Sequence, residues 1–271
     1  MNKIENWNLD SLYEKLQNKY NLDLSNYAAA SLERRIERFL SLHPFEDVVA
    51  LTQKLLNDVT FFDLFVQEIT VNTTEMFRDP QCWNSIRTEI LKHLKEFPSI
   101  RIWHAGCSSG EEVFSMAILL KEEGLYHKAK MVASDLNKEV ILNATKGKYS
   151  LKSMPLNEEN YIKSGGRHAL SDYYTTKDSD VIMDPYLLEN VKFLKHDLSA
   201  GSSFSKFDMI LCRNVMIYFN KTLQERVFHL FHQSLFKKGF VVIGKKETMS
   251  YYENFRSFSE YDSIEKIYQL I

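Results

Sequence analysis

The sequence predicts an α/β fold: a mainly parallel sheet preceded by a helical domain and interrupted by a small inserted β subdomain. Three observations carry this reading. The first seventy or so residues show apolar side chains at helical spacing. After Pro98, short apolar runs alternate with helix patterns, as in βαβ units. Residues Leu151 to Asn190 break that alternation.

In the N-terminal part, Asp10-Ser11 is positioned as an N-cap before Leu12, Tyr13, Leu16 and Tyr20. A second helix is expected over Ser31 to Leu42, with Leu32, Ile36, Phe39 and Leu40 on one stripe. Phe45 to Leu56 and Phe61 to Ile69 continue the helical pattern. In the second part, strands are expected at Ile100–Trp103, Lys130–Ser134, Val191–Leu194, Phe207–Cys212 and Gly239–Gly244. Helices are expected at Glu111–Glu123, Asn137–Thr145 and Lys221–Phe236. The insert carries Gly165-Gly166, Tyr173-Tyr174 and Val181 to Met183, which suggests a hairpin. The implied division is residues 1–71 for the helical domain and 72–271 for the sheet domain, with the insert at about 151–190.

Composition narrows the function classes. The 271 residues are 44% hydrophobic and 26% charged, with a net charge of −2. That balance suits a soluble globular protein and gives no support for nucleic-acid or membrane binding. Cys82, Cys107 and Cys212 lie far apart without C-x-x-C spacing, so neither a disulfide framework nor a zinc or other metal site is expected. Such usage fits a reducing cytoplasm. Met1 to Ser11 lacks an apolar signal-peptide core, and no apolar run is long enough to span a bilayer.

Chemistry concentrates where strands end. Trp103-His104-Ala105-Gly106-Cys107-Ser108-Ser109-Gly110-Glu111-Glu112 runs from a strand through small residues into a helix. Small residues admit a ligand to the backbone, and a helix start offers N–H groups. Read alone, it is equally a tight turn whose acids suit the helix dipole. Asp135, 25 residues beyond Gly110, ends the next strand. An acid there accepts ribose hydroxyls, or caps the following helix. The third strand leads into His196-Asp197-Leu198. Together these favour a nucleoside cofactor, NAD or S-adenosylmethionine.

Two further segments carry a resemblance. Asn72-Thr73-Thr74-Glu75-Met76-Phe77-Arg78-Asp79-Pro80 precedes the sheet, and Cys212-Arg213-Asn214-Val215-Met216-Ile217-Tyr218-Phe219 leaves its fourth strand. With the G-C-S-S-G-E-E turn and the S-D strand end, in this order, the chain resembles the CheR family, the chemotaxis receptor glutamate methyltransferases. The resemblance covers almost the whole chain. It implies a Rossmann-like S-adenosylmethionine-dependent methyltransferase sheet, S-adenosylmethionine as donor and S-adenosylhomocysteine as product. It also implies a monomeric cytoplasmic enzyme acting on receptor cytoplasmic domains. By matching position, Asn72, Thr74, Arg78, Ala105, Glu111, Asp135, Asp197, Leu198, Arg213, Asn214 and Tyr218 would contact the cofactor. Within that set Glu111 would face the ammonium, while Arg78 and Tyr218 would serve methyl transfer. Arg34, Arg35 and Arg38 on the second helix would dock the receptor. The chain departs from the family at Gly244-Lys245-Lys246-Glu247, where G-H-S-E is common, and at Asp197, where Asn is common. The rivals are a methyltransferase with another substrate, and a cofactor-binding signalling module without turnover.

Overall fold

A computed structural model describes residues 7–20, 22–70, 74–199 and 202–271. The chain opens with four helices, α1 (Leu9–Tyr20), α2 (Ala29–Leu42), α3 (Val48–Asn57) and α4 (Val59–Ile69). They close on one core containing Leu12, Leu16, Leu32, Ile36, Phe39, Leu55 and Phe65. Fully burying each such side chain contributes about 1.5–3 kcal/mol. Aspartates start two of the helices: Asp47 Oδ1 accepts the Ala50 N–H at 2.8 Å, and Asp58 Oδ1 accepts that of Phe61 at 3.0 Å. Asp58 ends α3 as well as capping α4, which makes the turn between them sharp. Ahead of α1, Asn8 rather than Asp10 or Ser11 supplies the capping oxygen, accepting the Asp10 N–H at 3.1 Å.

A short α5 (Pro80–Ser85), a π turn at Ile86–Ile90 and α6 (Leu91–Leu94) lead to the sheet domain. There follow β1 (Ile100–Ala105), α7 (Glu111–Glu122), β2 (Ala129–Asp135), α8 (Lys138–Lys146) and β3 (Lys148–Ser150). Next come α9 (Met154–Lys163), β4 (Tyr174–Lys177), β5 (Asp180–Met183) and β6 (Val191–Lys195). The chain finishes with β7 (Phe207–Cys212), α10 (Lys221–Ser234), β8 (Leu235–Ile243), β9 (Phe258–Asp262) and β10 (Ile267–Leu270). The main sheet has seven strands in the order β6-β2-β1-β7-β8-β10-β9. The five strands expected from the sequence pair in parallel. The last two, which the sequence reading did not anticipate, add antiparallel beside β8.

Alternating side chains divide the core between the two faces of the sheet. Ile102, Met209, Leu211, Phe240 and Val242 join one cluster, whereas Trp103, Ile210, Cys212, Val241 and Ile243 join the other. All six residues of β7 are buried, as befits a strand covered on both sides.

The insert forms a separate three-stranded sheet, β3-β5-β4, and carries α9. It reaches back to Lys148, because Tyr149 pairs with Val181. Glu122 at the end of α7 anchors it: its carboxylate accepts hydrogen bonds from Tyr161, from Tyr173 at 3.0 Å, and from Arg87 at 2.6 Å. No helix among the described residues is long and apolar enough to cross a membrane.

Candidate active site

The C-terminal ends of β1, β2, β6 and β7 open into one cleft, as expected of an open parallel sheet. Its walls bring together Thr74, Arg78, Asp135, Asp197, Leu198, Arg213, Asn214 and Tyr218. Eight of the expected cofactor positions, spread over 145 residues of sequence, thus meet in one place. Asn72 lies outside the described residues.

The turn after β1 is built by close approach. Gly106 has φ +84°, and a Cβ there would lie 2.5 Å from Val215 Cγ2. The Gly106 and Cys107 N–H groups donate to Ser134 O at 2.8 and 2.9 Å, and the Ser108 N–H donates to Asp135 Oδ2 at 2.9 Å. These donors therefore fix the turn to β2. Asp135 also accepts the Asn137 N–H on Oδ1 at 3.0 Å. Asn137, not Asp135, caps α8, its oxygen accepting the Glu139 N–H at 2.9 Å. Burial pushes the Asp135 carboxyl up, and the Asn137 and Ser108 donors only partly offset this. Each oxygen keeps acceptor capacity for a ligand.

Two further expected positions, Glu111 and Ala105, sit at this turn. Glu111 is buried beside the turn and accepts Ser109 Oγ–H at 2.8 Å. Its neighbour Glu112 lines the cleft. Glu112 Oε1 lies 2.9 Å from His104 Nδ1, and Oε2 lies 3.5 Å from the Arg213 guanidinium. Burial works against the Glu112 charge, but His104 and Arg213 outweigh it and hold its pKa below the ordinary glutamate value. Ala105 is buried at the end of β1, directly before Gly106, which lines the cleft.

The segment before α5 folds over the cleft. Arg213 donates to Arg78 O at 2.6 Å and to Asp79 Oδ2 at 2.8 Å. Trp83 Nε1–H also donates to Arg78 O, at 3.0 Å. The insert grips the same segment, with Asn157 Oδ1 accepting the Met76 N–H at 3.1 Å. Phe77, Asp79, Ser108 and Asn214 all have positive φ, 53°, 56°, 49° and 60°. Such conformations persist only where the surroundings over-determine them, and they cluster at functional sites.

Two site features were not expected from the sequence. Glu247 braces the loop after β7, accepting N–H groups of Asn214 and Ile217. Its signal was the glutamate retained in Gly244-Lys245-Lys246-Glu247. The helical domain also supplies walls through Tyr27, Arg35 and Thr70. Arg35, one of the three arginines expected to dock the receptor, is thus also a wall of the cleft. Arg35 is 8% exposed and turned inward, its Nη1 donating to Ile69 O at 2.8 Å. Its guanidinium carbon sits 4.3 Å from the centre of the Tyr218 ring. Arg34 and Arg38 remain exposed on α2.

Comparison with known proteins agrees with this architecture. The model of the CheR methyltransferase SAM-binding domain matches residues 72–264, and that of the CheR methyltransferase all-alpha domain matches residues 8–70. A Pseudomonas putida protein called Cher3 is 44% identical over 240 residues, covering 89% of this chain and 88% of that one. A chemotaxis protein methyltransferase of Listeria monocytogenes is 29% identical over 228 residues, covering 83% and 84%. One of Borreliella burgdorferi is 28% identical over 257 residues, covering 89% and 88%. The chain belongs to the CheR methyltransferase family and is an S-adenosylmethionine-dependent methyltransferase.

Proposed function

We propose that the protein transfers the methyl group of S-adenosylmethionine to glutamate carboxylates on the cytoplasmic domains of chemotaxis receptors, in the cytoplasm and as a monomer. The convergence of Arg78, Asn214 and Tyr218 on the cleft that holds Asp135 and Asp197 carries this reading. Relatives named as chemotaxis protein methyltransferases support it. In this reading residues 1–71 dock the receptor and residues 72–271, with the insert, perform the transfer.

The residues present fit the cofactor. Asp197 Oδ2 is buried without a hydrogen-bond partner among the described residues. A buried acceptor in that condition calls for a donor, such as the amino group of adenine. Asp135 offers both oxygens to a ribose, and Glu112 faces the cleft as the acid for an ammonium group. When bound, S-adenosylmethionine supplies an electrophilic methyl on a positively charged sulfur.

The chain's own task is then alignment. A glutamate side chain has a pKa of about 4.3, so the nucleophile is ionised at neutral pH and no general base is required. The carboxylate oxygen forms a bond to the methyl carbon as the carbon–sulfur bond breaks. The products are a methyl ester and S-adenosylhomocysteine, with no proton transferred. Arg78 is suited to hold the second carboxylate oxygen, because guanidinium binds carboxylates through a fixed fork. Tyr218 limits the position of the reacting group. Orientation of this kind removes several kcal/mol of entropic barrier. Exposed Arg34 and Arg38 give α2 a basic face for acidic receptor helices.

The test uses methyl-labelled S-adenosylmethionine with receptor cytoplasmic fragments from the same organism, followed by alkali and counting of volatile methanol. Base-labile counts that vanish in Asp135→Ala and Arg78→Ala are expected. Absence of counts from a protein that binds the cofactor would sink the receptor substrate.

A further inference from the structure

Tyr218 is held twice by the helical domain. Its carbonyl oxygen accepts the Ala28 N–H at 2.8 Å, beside a Tyr27–Phe219 β-bridge and an Asn220 N–H to Asn26 O bond of 2.9 Å. Its ring lies under the Arg35 guanidinium at 4.3 Å. Arg35 itself is fixed from two sides. Nη1 donates to Ile69 O at 2.8 Å, a carbonyl that the end of α4 leaves unpaired within the helix, and Nη2 donates to Ser31 Oγ at 3.0 Å. A guanidinium so constrained is a rigid plate, and a flat cation over an aromatic face restricts the ring. Arg35 and Tyr218 both line the cleft.

We propose that Arg35 is a positioning residue for methyl transfer, by which the helical domain sets the Tyr218 ring in the active site. The inference rests on the role given to Tyr218 in the proposed function. It assigns the helical domain a part in the chemistry besides docking. Arg34 and Arg38, on the exposed side of the same helix, face the partner, while Arg35 faces the reaction. Docking and alignment are thus one residue apart.

The test compares the full-length protein with Arg35→Met and Arg35→Lys. Ring-labelled tyrosine is followed by NMR, with the Tyr218 signal identified by its loss in Tyr218→Phe. Arg35→Met is expected to move that signal and lower kcat about tenfold or more, with KM for the receptor fragment and Kd for S-adenosylhomocysteine within about threefold. Arg35→Lys keeps the cation but not the fork, and is expected to recover part of kcat. Combined with Tyr218→Ala, Arg35→Met is expected to add no further loss. An unmoved Tyr218 signal in a folded variant would overturn the proposal. So would a loss confined to KM, which would return Arg35 to docking, or a loss in Kd, which would make it a cofactor clamp. Should Arg35→Met fail to fold, Arg35→Lys decides by the same signal and the same kcat and KM split. Should the wild-type protein turn over no receptor fragment, the substrate reading fails, while the Tyr218 signal still decides whether Arg35 holds the ring.

Discussion

Glu247 Oε2 accepts the backbone N–H of Asn214 at 3.0 Å, tying the loop after β8 to the loop after β7. The same carboxylate accepts the N–H groups of Gly244 at 2.5 Å and Ile217 at 3.2 Å. It thereby stabilises Asn214 at φ 60°. Glu247→Ala would leave three donors to find other acceptors, each at a cost of about 1–3 kcal/mol when buried. Partial rehydration reduces the sum, so a net loss of about 2–4 kcal/mol is expected, read as a lower urea midpoint. Cofactor affinity should fall with it, because Asn214 lines the cleft. An unchanged midpoint would show that the brace is dispensable.

Gly106→Ala tests the close approach of β1 and β7. The added Cβ meets Val215 Cγ2 at 2.5 Å in a backbone at φ +84°. Overpacking costs about 1–3 kcal/mol, and a left-handed alanine adds about 1–2 kcal/mol. The variant should melt lower and bind S-adenosylhomocysteine more weakly. Normal binding in calorimetry would mean that the turn relaxes without disturbing the cleft.

Asp135→Asn separates capacity from shape. The amide keeps one oxygen acceptor, whereas the native carboxylate serves Ser108 and Asn137 on separate oxygens. One backbone donor loses its acceptor, and a ribose hydroxyl loses a charged partner. Hydrogen bonds to charged groups contribute about 1.5–3 kcal/mol, so S-adenosylhomocysteine affinity should fall about 10- to 100-fold. An affinity within threefold of wild type would remove Asp135 from the ribose contact.

Arg78→Ala should separate turnover from binding. If Arg78 guides the substrate carboxylate, kcat falls about 100-fold or more while Kd for S-adenosylhomocysteine changes less than tenfold. Equal losses in both would make Arg78 a clamp on the cofactor. Its carbonyl is held by Arg213 and Trp83 through the main chain, so truncating the side chain leaves that segment anchored.

The parallel strands and the residues at their ends were legible because both carry local signals. Buried strands read as short apolar runs, and polar residues just beyond them have little structural reason to sit there. The β9–β10 hairpin was not legible: Phe258 is the only buried residue of β9, and β10 is four residues long, three of which pair with β8. Glu111 and Glu112 are neighbours, about 100° apart on a helix. How each sits about the cleft depends on the entry angle that Gly110 sets at φ +94°. Arg35 reads as a flank residue of an amphipathic helix, grouped with Arg34 and Arg38. Its partners, Ile69 O and the Tyr218 ring, lie 34 and 183 residues away in sequence, so no local pattern reveals them.

Glu112 gives a prediction with a pH sign. Burial raises its pKa, but the hydrogen bond and charge of His104 and the charge of Arg213 outweigh burial, and the net direction is down. A carboxyl whose folded pKa lies below its unfolded value contributes stability above the unfolded value, about 4.3, and loses it as pH falls through the folded pKa. Glu112→Gln removes that contribution and leaves Arg213 paired with Asp79 alone. The variant should be about 1–3 kcal/mol less stable at pH 7. The gap should narrow as pH is lowered from 5 to 3, because the wild-type protein loses its own contribution over that range. Urea midpoints measured across the series give the answer. A gap that stays constant down to pH 3 would mean that the Glu112 charge contributes no net stability and that the cost of substitution is one of shape.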